Sequence, residues 1–168
     1  LMVQEFSTIL NNNYYQNQLK STLKDNAGVF ATSLLELVTS DKNLLACDPK
    51  LLMAEAMKAA SLKLPLNKQL GYAYIVPYGK TPTMIIGYKG LYQLAIRSGL
   101  YKNINADIVY EGEYQGYDKI TGELHLNGDK VSNKIVGYFA FLELTNGFRK
   151  MMYMSLEDMC QYARKYSA

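Results

Sequence analysis

The hydrophobic period of this chain changes near Pro65, and that change limits what it can fold into. Before it the spacing is helical. Phe30, Leu34, Leu37 and Val38 fall at i, i+4, i+7 and i+8, which predicts one helix over residues 29–39. Asp48-Pro49 reads as a helix start, because Asp caps free N–H groups and Pro is tolerated at the first helical position. The Ala-, Leu- and Met-rich stretch 50–62 then predicts a second, well-buried helix that Pro65 ends. After it the spacing alternates. Residues 70–78 and 83–88 predict two strands joined through Gly79, Lys80, Thr81 and Pro82. Tyr72, Tyr74, Val76 and Tyr78 share one face of the first strand, and Gly71, Ala73 and Ile75 share the other.

The flanking segments extend this pattern. Residues 90–98 predict a short helix closed by Gly99. Residues 103–134 are strand-like but punctuated by Gly112, Gly116, Gly122 and Gly128. Asn146-Gly147 signals a two-residue hairpin turn, in a register that sets Glu143 opposite Lys150. Ser155 and Asp158 resemble a capping box, opening a helix over 156–166. A weaker helical pattern covers about residues 14–24. Residues 1–27 are expected to form a loosely structured or helical arm, and residues 28–168 a single core. The chain reads as a piece of a longer protein whose C-terminal part is missing. The fold class is α+β: a largely antiparallel sheet with hairpins, backed by helices, after an N-terminal helical segment.

Composition narrows function more by exclusion. Apolar residues make up 49% of 168, enough for a core without disulfides or metal. The 18 Lys and Arg against 15 Asp and Glu leave +3, which names no partner by itself. Cys47 and Cys160 lack zinc-ligand spacing and read as reduced thiols. No run approaches the roughly 20 apolar residues needed to span a bilayer. His125 is the one histidine, with no second His and no nucleophile motif beside it. Gly79-Lys80-Thr81 imitates the end of a phosphate-binding loop, but position 74 is Tyr where that motif needs Gly. Pro82 and Met84-Ile85-Ile86 predict a strand where the motif needs a helix. The sequence therefore points to a non-enzyme without cofactor or metal. The 15 tyrosines and absence of Trp are unusual; such rings fill cores or stack on bases, and both readings stay open.

Several segments, in order, resemble one family. Cys47-Asp48-Pro49 precedes the Ala- and Met-rich helix. Leu64-Pro65-Leu66-Asn67 follows, then Leu70-Gly71-Tyr72-Ala73-Tyr74-Ile75-Val76-Pro77-Tyr78. Gly87-Tyr88-Lys89-Gly90 leads to Leu94-Ala95-Ile96-Arg97-Ser98-Gly99, and Tyr110-Glu111-Gly112-Glu113 comes next. This order resembles the RecT family of phage and prophage single-strand annealing proteins, over roughly residues 28–166. Lys68 and Gln69 depart from the smaller or uncharged residues usual in that turn. The resemblance implies a curved sheet backed by a helix and ATP-independent annealing of complementary DNA strands in recombination. It implies single-stranded DNA and the annealed duplex as ligands, and self-assembly into rings or helical filaments. It further implies a partner exonuclease, a host single-strand-binding protein, and the cytoplasm of a bacterial host.

Annealing requires that phosphate repulsion be screened while base edges stay free. Backbone-directed cations meet both needs. On the 90–98 helix, Lys89, Gln93 and Arg97 are spaced four apart with Tyr88 and Tyr92 beside them, opposite an apolar side of Leu91, Leu94, Ala95 and Ser98. Lys and Arg would neutralise phosphate, Gln would donate to phosphate or sugar, and the tyrosines would stack on bases. Lys80, Lys102, Arg149, Lys150, Arg164 and Lys165 are second-rank DNA-binding candidates. Two rivals remain: a protein that protects single strands without pairing them, and an α+β adaptor that binds protein.

Overall fold

A computed structural model describes residues 2–167. The fold is α+β, with antiparallel sheets that do not close. The chain divides into two compact units, one up to Arg97 and one from Ser98 onward.

The first unit is mainly helical. It contains α1 (Met2–Leu10), α2 (Asn13–Leu23), a 3-10 turn (Lys24–Asn26), α3 (Ala27–Ser40), the short α4 (Lys42–Leu45) and α5 (Pro49–Ser61). The hairpin β1 (Ala73–Tyr78) and β2 (Thr81–Ile86) follows, then α6 (Tyr88–Ser98). The expected caps are present. Asp48 Oδ1 accepts the N–H groups of Lys50 (2.7 Å) and Leu51 (3.2 Å), with Pro49 at the first turn. Asp41 does the same for α4, accepting from Asn43 and Leu44.

The core of this unit joins the faces that the spacing predicts. Leu34 and Val38 of α3 are buried in one cluster with Leu52, Met53, Ala56 and Ala60 of α5 and Ala73 and Ile75 of β1. Phe6, Leu10 and Leu19, from the N-terminal helices, are buried in the same cluster. Each such side chain withdraws enough apolar surface to contribute about 1.5–3 kcal/mol. Glu55 ties α5 to the hairpin. Its Oε2 accepts the Met84 N–H at 2.8 Å, and this bond and Lys58 outweigh burial and lower its pKa. Lys68, the departure in the turn, has its Nζ 3.4 Å from Asp41 Oδ2.

The second unit is built on a sheet of order β3-β6-β7: β3 (Tyr101–Tyr110), β6 (Ile135–Leu144) and β7 (Arg149–Ser155). A small hairpin, β4 (Gly116–Asp118) and β5 (Glu123–His125), interrupts it, and α7 (Leu156–Tyr166) ends it. Ser155 Oγ accepts the Asp158 N–H at 3.1 Å. The short Asp158 carboxylate reaches back only as far as the Ser155 hydroxyl, which donates to it at 2.7 Å.

The β6–β7 turn corrects the expected register. Leu144 N–H donates to Phe148 C=O, so the loop is the three residues Thr145-Asn146-Gly147. Gly147 supplies φ +88°, which such a loop demands of its last residue. Glu143 therefore lies opposite Arg149, and Lys150 opposite Leu142. A one-residue slip moves each side chain to the other face, so Lys150 leaves the Glu143 face.

Candidate nucleic-acid interface

In the first unit the candidate surface is α6 and the β1–β2 turn. Gly79-Lys80 forms a two-residue hairpin turn, with Tyr78 opposite Thr81, and not the mouth of a helix. Lys80 is exposed there, next to the exposed Tyr78. The Tyr74 face of β1 is only half-buried, whereas Ala73 and Ile75 are core.

Gly87 and Gly90 set the position of α6. A Cβ on Gly90 would overlap the Tyr72 carbonyl oxygen, and one on Gly87 would overlap that of Gly71. The Gly87 N–H meanwhile donates to Tyr72 C=O at 3.0 Å. The Gly-Tyr-Lys-Gly segment is thus a close-approach motif that presses the start of α6 onto the entry to β1.

This contact shifts the packed side of α6 toward Gly90 and Gln93 and away from Leu91. Its packed side runs through Gly90, Gln93 and Leu94, and the exposed Arg97 reaches back to α5. Arg97 Nη2 donates to Leu62 C=O at 2.8 Å, at the C-terminal cap of α5. Leu91, expected on the packed side, is instead 56% exposed. The solvent side carries Tyr88 (69% exposed), Leu91, Tyr92, Ile96 (68%) and Lys89. Of the expected Lys89–Gln93–Arg97 stripe, Lys89 alone projects freely. Tyr88 and Tyr92 stand beside it as anticipated.

The second unit holds the remaining candidates in two places. Lys102 Nζ and Arg149 Nη2 both lie 3.2 Å from Glu143 Oε1. The Lys102 hydrogen bond, followed by that of Arg149, holds the Glu143 carboxyl below its ordinary value against the opposing effect of burial. These two cations are therefore brought together but share one carboxylate, while Lys150 stands on the other face of β7. At the end of α7, Arg164 and Lys165 are exposed beside two exposed rings. Tyr162 and Tyr166 have centroids 4.6 Å apart, and Lys165 Nζ is 5.1 Å from the Tyr166 ring.

Two features escaped the sequence reading. Lys130 Nζ sits 3.4 Å above the Tyr110 ring, a cation–π pair across an acidic segment that holds β4 and β5 and carries no spacing signal. Tyr114 stacks on Tyr153 at 4.5 Å, and Tyr117 lies 6.4 Å from it. Burial, then Tyr114 and Asp158, pushes the Tyr153 hydroxyl above its ordinary pKa. Tyrosine abundance was the one hint of that cluster. Among the described residues, no three His, Cys, Asp or Glu side chains gather to hold a metal ion. Among them, too, no helix is long and apolar enough to cross a membrane.

Fold and surface together define an α+β protein whose exposed tyrosines are interleaved with basic side chains, on α6 and again on α7. The family model of the RecT family matches residues 28–168, and the chain belongs to that family. It is 40% identical over 151 residues to the uncharacterized protein YqaK of Bacillus subtilis, covering 89% of this chain and 53% of that protein. It is 28% identical over 111 residues to Protein RecT of Escherichia coli, covering 60% of this chain and 41% of that one. The chain thus spans about half the length, or less, of the curated relatives it matches.

Proposed function

We propose that this protein binds single-stranded DNA and anneals complementary strands in phage-type homologous recombination, without ATP. Membership of the RecT family supports the coarse reading. The observation that carries it to residues is the solvent side of α6, where the exposed Tyr88 and Tyr92 flank the exposed Lys89. A fully solvated polar helix face would not place rings there. Rings beside a cation suit a strand whose bases stack and whose phosphates are screened. Lys80, Lys150, Arg164 and Lys165 add sequence-independent phosphate contacts, while Lys102 and Arg149 do so less strongly because Glu143 shares their charge. The reading without ATP is supported by the hairpin position of Gly79-Lys80-Thr81, since a triphosphate cradle needs a helix N-terminus.

Self-assembly follows from the charge. A chain of net +3 that contacts three or four phosphates would show a salt slope of about −2 to −3, and would bind weakly alone. Neighbouring subunits on one strand add contacts at high effective concentration. Phe30 and Leu34 are core, so Leu91 and Ile96 of α6 are the better apolar contacts. A ring or helical filament, a partner exonuclease and a host single-strand-binding protein belong to the same reading.

The test mixes labelled complementary oligonucleotides of graded length with purified protein, in the absence of nucleotide. Accelerated pairing, with affinity rising disproportionately with length, is the expected result. Binding with suppressed pairing would make this a protecting protein. No binding would favour a protein-interaction adaptor.

A further inference from the structure

β3 stands at one edge of the β3-β6-β7 sheet, and among the described residues its outer edge pairs with no strand. The strand is ten residues long, and Val109 is its one buried residue. β7, at the opposite edge, has the β4–β5 hairpin beside it, where a Cβ on Gly122 would stand 3.8 Å from the Met151 carbonyl oxygen. Antiparallel pairing fixes which groups of β3 face outward. Leu144 N–H donates to Phe148 C=O, so the even-numbered residues of β6 bond toward β7 and the odd-numbered ones toward β3. Phe139, Phe141 and Glu143 lie opposite Asp107, Asn105 and Asn103. The N–H and C=O groups of Ile104, Ala106 and Ile108 therefore point to the free edge. Past the register shift at Val109, Glu111 N–H bonds to Lys134 C=O on the β6 side, which leaves Tyr110 N–H outward too.

An open edge of this length invites another strand. Its side chains add to the attraction. Ala106, Ala140 and Met152 form one cross-strand row, and all three are exposed. Every copy of the chain carries the same edge and the same row. The strand that fits is thus β3 of a second copy, whose addition would join the two rows.

Two carboxylates stand in the way. Asp107 Oδ1 accepts the Ile108 N–H at 2.8 Å, and Glu113 Oε2 accepts the Tyr110 N–H at 2.7 Å. Water would satisfy donors at an exposed edge, so the need for a partner does not explain the carboxylates. A strand that adds there must first displace them, and then desolvate their charge. Neither is ion-paired among the described residues. The caps shorten the regular open edge to Ile104 and Ala106, and short edges resist pairing. We propose that Asp107 and Glu113 guard the free edge of β3 against strand addition by a second copy of this chain. The guard acts with or without DNA, and it confines self-assembly to surfaces other than the sheet edge.

The experiment compares, without DNA, the parent, an Asp107→Ala/Glu113→Ala variant and an Asp107→Asn/Glu113→Gln variant whose amide oxygens can still accept the same N–H groups. Thioflavin T fluorescence reports stacked strands, and sedimentation velocity reports size. The parent should bind no thioflavin T. The alanine variant should gain thioflavin T fluorescence and sediment as large assemblies, and the amide variant should assemble less than the alanine variant. Hydrogen exchange at Ile104 and Ala106 should slow in those assemblies. Adding Ala106→Pro removes an outward N–H and no bond to β6, so it should return the alanine variant to the behaviour of the parent. Aggregation by misfolding would not be cured by that proline. A thioflavin-positive parent, an alanine variant that stays unassembled, equal assembly of the amide variant, or assemblies that persist with Ala106→Pro would each overturn the proposal.

Discussion

Replacing Gly90 by Ala should destabilise the protein, although the position is helical. Gly costs about 1 kcal/mol relative to Ala in a helix interior, so the change would ordinarily be a gain. Here the new methyl overlaps the Tyr72 carbonyl oxygen and approaches Ile86 Cγ2 within 2.9 Å. That carbonyl cannot retreat freely, because it accepts the Gly87 N–H. Overpacking of a tight contact costs about 1–3 kcal/mol, and the strained hydrogen bond about 1 kcal/mol more. After the helical gain, the net loss should be about 2 kcal/mol. Gly28 of α3 is the control, since a Cβ there meets nothing within 4 Å. Gly28→Ala should therefore stabilise by about 1 kcal/mol. Urea unfolding followed by circular dichroism would measure both midpoints. If Gly90→Ala gained stability as Gly28→Ala does, α6 would not be seated on β1 by close approach.

Lys89→Ala should leave the melting temperature unchanged and lower the salt slope of DNA binding by about one, read from binding isotherms across a salt series. Arg97→Ala should instead lower stability by about 1 kcal/mol, because it removes the bond to Leu62 C=O, with DNA affinity falling less than for Lys89→Ala. Glu143 has a depressed pKa when folded, so its contribution is present above its ordinary value of 4.5 and is lost as pH falls through the folded value. Glu143→Gln should accordingly unfold at lower urea than the parent at pH 7, with the gap closing as the pH falls below the ordinary carboxylate range; a gap independent of pH would refute the ion-pair assignment. At pH 7 the same variant should bind DNA more tightly, since Lys102 and Arg149 are released from their shared carboxylate, and a mobility-shift titration would show it.

Elements whose signals are local were legible in the sequence. Asp48-Pro49 marks the start of α5 because the cap and the missing N–H act within one turn. Ser155 marks the start of α7 for the same reason. The β6–β7 hairpin was legible as a hairpin but not in register. Asn146-Gly147 fits two loop lengths, and the choice between them lies in the bond from Leu144 to Phe148. The Glu143–Lys150 match that favoured the shorter loop has a near equivalent in Glu143–Arg149, so charge could not discriminate. Lys130 over Tyr110 was not legible at all, since the two lie 20 positions apart with the β4–β5 hairpin between them.

The misplaced face of α6 is the more informative difference. A helical wheel alone assigns Leu91 to the core, because burying apolar surface is the largest favourable term. The structure instead buries Gly90 and half-buries Gln93, and leaves Tyr88, Leu91 and Ile96 in solvent. Two glycines force that choice through backbone contacts that no hydrophobic pattern encodes. A sequence that consistently favoured its own fold would not leave Leu91 and Ile96 in solvent on a helix whose Leu94 packs against the core. Contiguous exposed apolar surface beside a free cation marks a surface meant for a partner. On the reading proposed above, a DNA strand would lie at Tyr88, Lys89 and Tyr92, and a neighbouring subunit at Leu91 and Ile96. The two are separable, because Ile96→Lys should abolish length-dependent binding while leaving the affinity for oligonucleotides too short to bridge two subunits intact.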